Sequence, residues 1–223
     1  MDRLGLKPSK EAKVIFGGTF DPIHQGHVNL AVELSDYLDV RPISLLPNHQ
    51  PMHRSNPGAL ANDRAKMVSL AIAEHPQLVL DTRELERKGP SYSVLTLAEM
   101  RQEIGTEAPL IWCMGADAFA QLTSWNRWQE LLDFGHLLVL SRPDSNWLLE
   151  PQLLDFYEAH KVDDGKQLLL SAAGKVAHLE LGQYGVSATK IRKQLHLGNL
   201  PSANELSPAV AKYIASQSLY GIN

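Results

Sequence analysis

The stretch GGTFDPIHQGH at residues 17–27 decides how this chain folds. It follows a short apolar run at 14–16 and opens an amphipathic run at 28–38, which predicts a strand, a glycine turn and a helix start. Because a helix turns once in about 3.6 residues, His24 and His27 are expected on one helical face. Free amide N–H groups and partial positive charge at a helix N-terminus bind phosphate. The stretch therefore predicts a site for a polyphosphate.

The glycine and histidine spacing of residues 17–27 differs from that of other phosphate-binding motifs. The glycine spacing of the dinucleotide fingerprint GxGxxG is absent, and no Walker-type Gly-Lys-Ser/Thr follows. A lone pair of histidines at this spacing would more often be surface residues or a stray metal pair. The whole stretch resembles the T/HxGH signature of the nucleotidyltransferase superfamily, which includes nucleotide adenylyltransferases and, more distantly, class I aminoacyl-tRNA synthetases. The resemblance implies that both histidines hold nucleotide phosphates in the transition state. Gly26, which has no side chain, would let a ligand approach the backbone between them.

The bulk composition restricts the class of protein. With 223 residues, 44% of them hydrophobic, the chain can form one domain with a substantial core, which we expect at 12–223. Residues 1–11 include Pro8 and show no clear period, so we expect a flexible extension there. A net charge of -4 excludes a general basic surface for DNA or RNA. The single cysteine, Cys113, lies in an apolar run and is expected in the core.

The N-terminal residues and the cysteine usage indicate a compartment. The N-terminus is polar and contains no apolar signal segment, and no stretch is long and apolar enough to span a bilayer. One cysteine excludes an intrachain disulfide and fits a reducing environment. We therefore expect a cytoplasmic protein without a membrane partner.

Alternating hydrophobic periods predict an α/β fold. Strand-like runs lie at 12–16, 42–46, 78–81, 109–114, 136–140 and 176–181. Helix-like runs lie between them at 25–37, 62–75, 91–104, 125–134 and 148–160. Asn62 is a plausible cap of the second helix. Two further helices close the chain, one near 187–197 and one that begins at Ser207 and Pro208. This alternation implies crossover connections, so we expect a doubly wound, mostly parallel sheet with C-terminal helices.

Unusual residues follow the carboxyl ends of five predicted strands. They lie at 17–19, 47–49, 115–117, 141–143 and 185–187. In a doubly wound sheet these strand ends share one edge, where ligands bind. The sequence therefore predicts that five distant segments converge on one crevice.

The segment VSATKIR at 186–192 is a second candidate for phosphate binding. Ser187 suits an N-cap, and Thr189 and Arg192 are three residues apart on one helical face. The planar guanidinium fork of arginine suits phosphate oxygens. By itself the segment is more typical of an ordinary capped helix with a solvated arginine. It also resembles the superfamily's second signature, SxTxxR near the C-terminus, and the two signatures occur in the expected order.

Two further segments carry groups that could bind an anion. Residues 47–54 contain imidazoles and Arg54, which can meet a phosphate or a ring, although a Pro-rich surface loop would show the same pattern. Residues 89–93 open a helix with Ser91 as the expected cap, and the free amides there could hold a carboxylate. A simple helix start would equally explain this second segment.

Residues 114–126 add an acidic group and an aromatic group. Asp117 could accept hydrogen bonds from ribose hydroxyls, and Trp125 could stack on an aromatic ring. Trp128 lies on the apolar face of the predicted helix at 125–134, and packing explains it better.

Taken in order, these segments resemble those of the bacterial nicotinate-nucleotide adenylyltransferases, from residue 14 to the C-terminus. The resemblance implies a Rossmann-like nucleotidyltransferase fold and transfer of AMP from ATP to nicotinate mononucleotide. The products would be deamido-NAD and pyrophosphate, in a late step of NAD biosynthesis. The chain departs from the family pattern at residues 1–11, Met52, Ala118 and Asn126, which lie outside the phosphate-binding segments.

The resemblance also implies a role for each matched residue. The catalytic residues would be His24, His27 and Arg192. The ATP-binding residues would be Gly17, Gly18, Thr19, Phe20, His24, His27, Gly115, Asp117, Ser187, Thr189 and Arg192. The nicotinate-nucleotide-binding residues would be Asn48, His53, Arg54, Tyr92, Ser93, Trp125 and Asn126. Mg²⁺ is expected on the phosphates of ATP, with water ligands and no protein side chain.

Three alternative functions remain open at the level of sequence. The chain could transfer a nucleotide to nicotinamide mononucleotide or to phosphopantetheine, although residues 89–92 and the Asp117 to Trp125 segment argue against phosphopantetheine. It could be a noncatalytic nucleotide sensor, but such a protein should have lost a histidine or the C-terminal arginine of the signatures. It could be a zinc protein that uses the histidines at 24, 27, 49 and 53, but it lacks paired cysteines. The oligomeric state stays open.

Overall fold

The computed structural model describes residues 11–49, 58–87, 89, 91–141, 147–182 and 184–221. Its strands are β1 (Lys13–Gly18), β2 (Ile43–Pro47), β3 (Leu78–Leu80), β4 (Leu110–Gly115), β5 (His136–Ser141), β6 (Lys161–Val162) and β7 (Val176–Glu180). They form a parallel sheet in the order β3-β2-β1-β4-β5-β7-β6.

Helices connect the strands and follow the last of them. They are α1 (Gln25–Leu38), α2 (Ala61–Ala71), α3 (Arg83–Glu86), α4 (Ser93–Ile104), α5 (Ala116–Phe119), α6 (Leu131–Phe134), α7 (Pro151–His160), α8 (Ala188–His196) and α9 (Pro208–Ser216). Short 3₁₀ turns lie at Leu122–Ser124, Trp128–Glu130, Gly165–Leu170 and Leu219–Gly221. Among the residues that the structure describes, no helix combines the length and apolar content needed to cross a membrane.

The sheet changes its direction of growth between β1 and β4. The chain adds β2 and β3 on one side of β1 and then crosses to add β4, β5 and β7 on the other side. The carboxyl ends of β1 and β4 therefore flank the crevice in which doubly wound sheets bind ligands. The predicted α/β fold with a parallel sheet and C-terminal helices is confirmed.

Two apolar clusters cover the two faces of the sheet. In β1, Val14 and Phe16 belong to one cluster and Ile15 to the other, as the alternation of side chains along a strand requires. Buried residues of α1, α2, α8 and α9 complete the first cluster, and those of α4, α6 and α7 complete the second. Cys113 is fully buried in the first cluster, which confirms its expected place in the core.

The predicted limits of α2 and α4 were wrong at three points. The α2 helix begins at Ala61 with Leu60 at the cap position, so Asn62 is not its cap. It also ends at Ala71 rather than at residue 75, with Ile72 at its C-cap position. The α4 helix has Tyr92 at its cap position, and Ser91 is engaged elsewhere.

The helix predicted at 125–134 was also only partly right. Arg127 adopts a left-handed conformation with φ 51°, so no continuous helix passes through it. A 3₁₀ turn follows at Trp128–Glu130, and α6 supplies the remaining residues. The predicted packing of Trp128 is confirmed, since this side chain is buried and its ring meets that of Phe156 edge to face. The short elements β6, α3 and α5 were missed because two to four residues are too few to show a repeating hydrophobic pattern.

His136 is a buried titratable group at the start of β5, far from the carboxyl edge of the sheet. It is 0% exposed. Its Nε2 lies 2.8 Å from the carbonyl oxygen of Ser171, and its Nδ1 accepts a hydrogen bond from the backbone N–H of Lys175. A neutral imidazole with the proton on Nε2 satisfies both contacts. Burial, as the largest cause, lowers the pKa of His136 to about 4.

This lowered pKa makes the free energy of unfolding depend on pH. The unfolded chain titrates His136 near pH 6.5 and the folded chain near pH 4, so the contribution is fully present above 6.5 and is lost as the pH falls towards 4. The loss amounts to about 3 kcal/mol. In His136→Gln the amide can make both hydrogen bonds without titrating. The free energy of unfolding, measured with urea between pH 4 and 6.5, should depend less steeply on pH in this variant than in the natural protein. Equal slopes in the two proteins would contradict a neutral, buried His136.

Candidate functional site

A cavity of about 780 Å³ lies at the carboxyl edge of the sheet, at the switch between β1 and β4. Its wall includes the site residues predicted from sequence that the structure describes: Gly17, Gly18, Thr19, Phe20, His24, His27, Asn48, Tyr92, Ser93, Gly115, Asp117, Trp125, Asn126, Ser187, Thr189 and Arg192. His53 and Arg54 lie outside the described residues. Of the predicted segment 141–143, Ser141 is described, and its buried Oγ contacts Nε2 of His178 at 2.6 Å.

The two signature histidines contact each other at the start of α1. His24 occupies the cap position and His27 lies in the first turn. Their rings stack with centroids 3.7 Å apart and an interplanar angle of 22°. The backbone N–H of His24 donates a hydrogen bond to Nδ1 of His27 at 3.3 Å. A neutral His27 therefore carries its proton on Nε2, which makes this nitrogen a hydrogen-bond donor.

The surroundings of His27 keep it neutral in the free protein. The rings of Phe20 and Phe16 meet the imidazole edge to face, with centroids 5.2 and 6.3 Å away. Burial lowers the pKa of His27 well below its ordinary value, and the positive form of His24 lowers it further. The cavity wall thus holds two adjacent imidazoles, of which His27 is neutral near pH 7.

Two glycines of the first motif leave room for aromatic rings. A Cβ on Gly17 would lie 2.7 Å from the ring of Trp112, which packs beneath the turn. A Cβ on Gly26 would lie 3.1 Å from the imidazole of His24. The absence of a side chain at Gly26 therefore admits the neighbouring histidine ring, a reason that the sequence alone did not reveal.

Arg192 joins the second signature to the first. Its Nη1 donates a hydrogen bond to the carbonyl oxygen of Asp21 at 2.6 Å and lies 3.8 Å from the carboxylate of the same residue. Its Nη2 contacts Oγ1 of Thr189 at 3.4 Å, as the spacing on one helical face led us to expect. Ser187 occupies the cap position of α8, although its hydroxyl makes no capping bond there. Segments about 170 residues apart in the chain thus share one cavity wall.

Asp21 is a central residue of the site whose importance was missed in the sequence. Its Oδ2 accepts a hydrogen bond from the N–H of Gly58 at 2.8 Å, and its Oδ1 accepts bonds from the N–H of Ala59 and the hydroxyl of Tyr220. The carboxylate thereby links the first loop to the segment before α2 and to the end of the chain. Burial and the adjacent carboxylate raise the pKa of Tyr220, so its hydroxyl remains a donor. These partners are distant from Asp21 in the sequence, so no local sequence pattern predicts the contacts.

The wall near Tyr92 contains a chain of side-chain hydrogen bonds. Ser91 Oγ accepts a bond from the backbone N–H of His49, which ties the end of β2 to the segment before α4. Glu84, 3% exposed, accepts a bond from Oγ1 of Thr96 at 2.7 Å. Burial raises the pKa of Glu84, while bonds from Thr96 and Ser91 act in the opposite direction. Glu84 lines the cavity and was missed, because a single glutamate in a polar run carries no sequence signal.

The titratable groups of the described residues do not form a metal centre. No group of three or more His, Cys, Asp or Glu side chains is placed to hold a metal ion in this part of the chain. Asp117 lines the cavity as a carboxylate, and the histidine pair supplies two nitrogen atoms.

Comparison with known proteins places the chain among nucleotidyltransferases. The model of the cytidylyltransferase-like family matches residues 15–194. A protein of Yersinia enterocolitica named "Probable nicotinate-nucleotide adenylyltransferase" is 43% identical over 215 residues, which cover 96% of this chain and 97% of that protein. Proteins of the same name from Serratia proteamaculans and Cellvibrio japonicus are 43% and 42% identical over 207 residues, covering 92% of this chain and 94% and 97% of theirs.

Solved structures share the fold at lower sequence identity. The Plasmodium falciparum nicotinic acid mononucleotide adenylyltransferase complexed with NaAD superposes with a TM-score of 0.70 and 18% identity, covering 96% of this chain and 99% of that chain. The same protein complexed with APC gives a TM-score of 0.67 at 17% identity with the same coverage. At such identities the likeness establishes the architecture of the sheet and its helices.

Proposed function

This chain belongs to the nicotinate-nucleotide adenylyltransferase family, and on that premise we propose that it transfers AMP from ATP to nicotinate mononucleotide. The products are nicotinate adenine dinucleotide and pyrophosphate, so the enzyme acts in NAD biosynthesis. One observation carries the proposal: a single cavity of about 780 Å³ is lined by His24, His27 and Arg192 and also by Trp125 and Tyr92. It offers phosphate-binding groups and a ring-stacking surface in one hollow, as the joining of two nucleotides requires.

The reaction is a displacement at phosphorus. An oxygen of the 5′-phosphate of the mononucleotide attacks the α-phosphorus of ATP, and the bond to the bridging oxygen of pyrophosphate breaks in line. The attacking phosphate is already an anion near neutral pH, so no strong general base is required. The difficulty lies in bringing two anions together and dispersing the charge on the leaving oxygens. Catalysis therefore rests on positioning and electrostatic stabilisation.

The residues near the helix starts would bind the triphosphate. Nε2–H of His27, with the adjacent His24, would donate to phosphate oxygens as charge builds on them. The turn at Gly17 and Gly18, with Thr19 and Phe20, would hold ATP. Three residues of the second signature would bind the β- and γ-phosphates: Ser187, Thr189 and Arg192. Gly115 and Asp117, at the end of β4, would meet the ribose.

Mg²⁺ fits the triphosphate end of this cavity as an ion bound to ATP. The described residues provide no cage of protein ligands for it, and Mg²⁺ commonly retains several waters and binds through phosphate oxygens. When bound, it would neutralise part of the charge on the leaving pyrophosphate. The protein side chains would contribute hydrogen bonds and the charge of Arg192 to the remaining phosphate oxygens.

The second substrate would occupy the wall formed by Asn48, Tyr92, Ser93, Trp125 and Asn126. The indole of Trp125 would stack on the pyridine ring. Backbone amides near Tyr92, Ser93 and Asn126 would donate hydrogen bonds to the nicotinate carboxylate. Two N–H donors suit a carboxylate, whereas an amide NH₂ group would face one of them donor to donor. The arrangement therefore favours the acid over the amide. His53 and Arg54 remain candidates for the phosphate of the mononucleotide.

Acceptor selectivity tests the proposal directly. We expect kcat/KM for nicotinate mononucleotide to exceed that for nicotinamide mononucleotide at least about fivefold, because an unsatisfied buried polar group costs about 1–3 kcal/mol. The assay uses purified protein, ATP and Mg²⁺ with each acceptor in turn and measures pyrophosphate and dinucleotide. Equal values for the two acceptors would contradict the carboxylate-binding wall.

The same assay separates the alternative functions. Turnover with phosphopantetheine and none with either pyridine mononucleotide would replace the proposed acceptor. ATP binding without pyrophosphate release from any acceptor would indicate a noncatalytic nucleotide sensor. Turnover without any divalent metal would contradict the proposed role of Mg²⁺, so a reaction with chelator serves as the control.

A further inference from the structure

Arg64 is a charged side chain in the interior of the protein. It lies in the first turn of α2 and is 0% exposed, with the largest volume among the fully buried side chains of the described residues. A cation is excluded from such a position unless its hydrogen-bond donors are satisfied. The guanidinium of Arg64 must therefore have hydrogen-bond acceptors inside the protein.

The guanidinium of Arg64 donates hydrogen bonds to five oxygen atoms in three segments. Its Nη1 contacts the carbonyl oxygen of Thr19 at 2.6 Å and Oδ1 of Asn48 at 3.2 Å. Its Nη2 contacts the carbonyl oxygens of Asn48 and His49 at 2.7 and 2.9 Å. Its Nε contacts the carbonyl oxygen of Ala59 at 3.3 Å. All five acceptors are neutral, and four of them belong to the backbone.

The three segments are parts of the cavity wall. Thr19 follows β1 and Asn48 follows β2, and both line the cavity together with Gly58, the neighbour of Ala59. Asn48 also contacts Oγ1 of Thr19 at 3.4 Å. Arg64 itself does not line the cavity and reaches it only through these residues. A rotation of its side chain would release the ends of two strands at once.

The charge of Arg64 adds to this mechanical role. Burial lowers the pKa of Arg64, while the negative charge of Asp21 raises it. Arginine nevertheless stays protonated in proteins. Because its bonded acceptors are neutral, the positive charge behind the wall is not cancelled by an ion pair in direct contact. In a region of low dielectric constant such a charge acts on anions across the wall.

We propose that Arg64 is a positioning residue of the transfer reaction, which fixes the segments after β1 and β2 in the geometry that binds the two nucleotides. The inference rests on the proposed function, since that function assigns the wall at Thr19 to ATP and the wall at Asn48 to the mononucleotide. The residue acts through its neighbours and touches no substrate atom.

Arg101 provides a matched comparison at the opposite end of the sheet. Its guanidinium donates to four backbone carbonyl oxygens, those of Phe134, Gly105, Ala108 and Ala172, at distances of 2.7 to 2.9 Å. These residues lie before β4, β5 and β7 and do not line the cavity. Replacing either arginine removes a similar number of hydrogen bonds, but only Arg64 lies behind the site.

The experiment compares Arg64→Met, Arg64→Lys and Arg101→Met in the full chain. Melting temperatures are recorded, and kcat and KM for both substrates are measured well below them. Both methionine variants should melt at lower temperature than the natural protein. We expect kcat to fall about a hundredfold in Arg64→Met, because misplacement by about 1 Å costs that much, and to stay within about twofold in Arg101→Met. Arg64→Lys keeps the positive charge but loses the planar guanidinium, so its kcat should lie between those of the two methionine variants.

Each outcome decides the inference. An unchanged kcat in folded Arg64→Met overturns it, as do equal losses of kcat in Arg64→Met and Arg101→Met. If Arg64→Met does not fold, Arg64→Lys is compared with Arg101→Lys on the same criteria. If the natural protein shows no turnover with nicotinate mononucleotide, the proposed function fails by itself. Calorimetric affinity for a non-hydrolysable ATP analogue then tests Arg64, with a loss of at least about tenfold expected only in the Arg64 variants.

Discussion

Replacing His27 with alanine is expected to lower kcat by about a hundred- to a thousandfold, because the loss of one preorganised donor costs about 3–4 kcal/mol in the transition state. The donor in question is Nε2–H, whose protonation follows from the bond between the His24 N–H and Nδ1 of His27. The neutral imidazole needs no proton from solvent to act. Steady-state kinetics with ATP and nicotinate mononucleotide measure the effect.

Two controls separate a catalytic loss from a structural one. His27→Ala also removes contacts with the rings of Phe16 and Phe20, so circular dichroism and the melting temperature must show that the variant is folded. His136→Gln changes a fully buried histidine at the far end of β5, away from the cavity, and should retain nearly full kcat at pH 7. A folded His27→Ala variant with a near-normal turnover number would refute the role of the imidazole.

The fold was predictable because local signals agreed with each other. Apolar runs of strand length alternated with helical periods, and this alone implied crossover connections and a parallel sheet. The convergence of the segments at 17–19, 47–49, 115–117 and 185–187 followed from the topology, with no knowledge of side-chain contacts. The predicted elements were wrong where the backbone of one residue interrupts a hydrophobic period, as the left-handed Arg127 interrupts the predicted helix at 125–134.

The candidate site was predictable only as far as its residues directly meet a ligand. Histidines, an arginine and glycines at fixed spacing indicate phosphate chemistry, so these parts of the cavity wall were predicted, whereas Glu84 in the same wall was missed. Asp21 and Arg64 act through partners that only the tertiary structure brings near, such as Tyr220 and Ala59. A buried arginine in an amphipathic helix also resembles an ordinary surface arginine until burial is known. Residues that hold other site residues in place therefore give no periodic signal in the sequence, whereas the phosphate-binding motifs do.

Replacing Arg192 with alanine should have the second large effect, a loss of about a thousandfold in kcat/KM for ATP. The guanidinium would give two parallel hydrogen bonds and a full positive charge to the leaving phosphates, and an arginine in this role is worth about 10³ or more in phosphoryl transfer. The side chain also holds the carbonyl oxygen of Asp21, so its removal loosens the first loop as well. Initial rates at varied ATP concentration, with saturating acceptor, measure the loss.

Two further variants distinguish the charge of Arg192 from its geometry. Arg192→Lys keeps the charge but cannot form the planar fork, so we expect it to recover only part of the loss and to remain at least about tenfold impaired. Lys193→Ala removes one positive charge from an exposed position on the same helix and should leave kcat/KM for ATP unchanged. If only the total positive charge of α8 mattered, Arg192→Ala and Lys193→Ala would lower kcat/KM for ATP by similar factors. Full activity of Arg192→Ala would exclude Arg192 from catalysis, because no other arginine or lysine of the described residues lines the cavity.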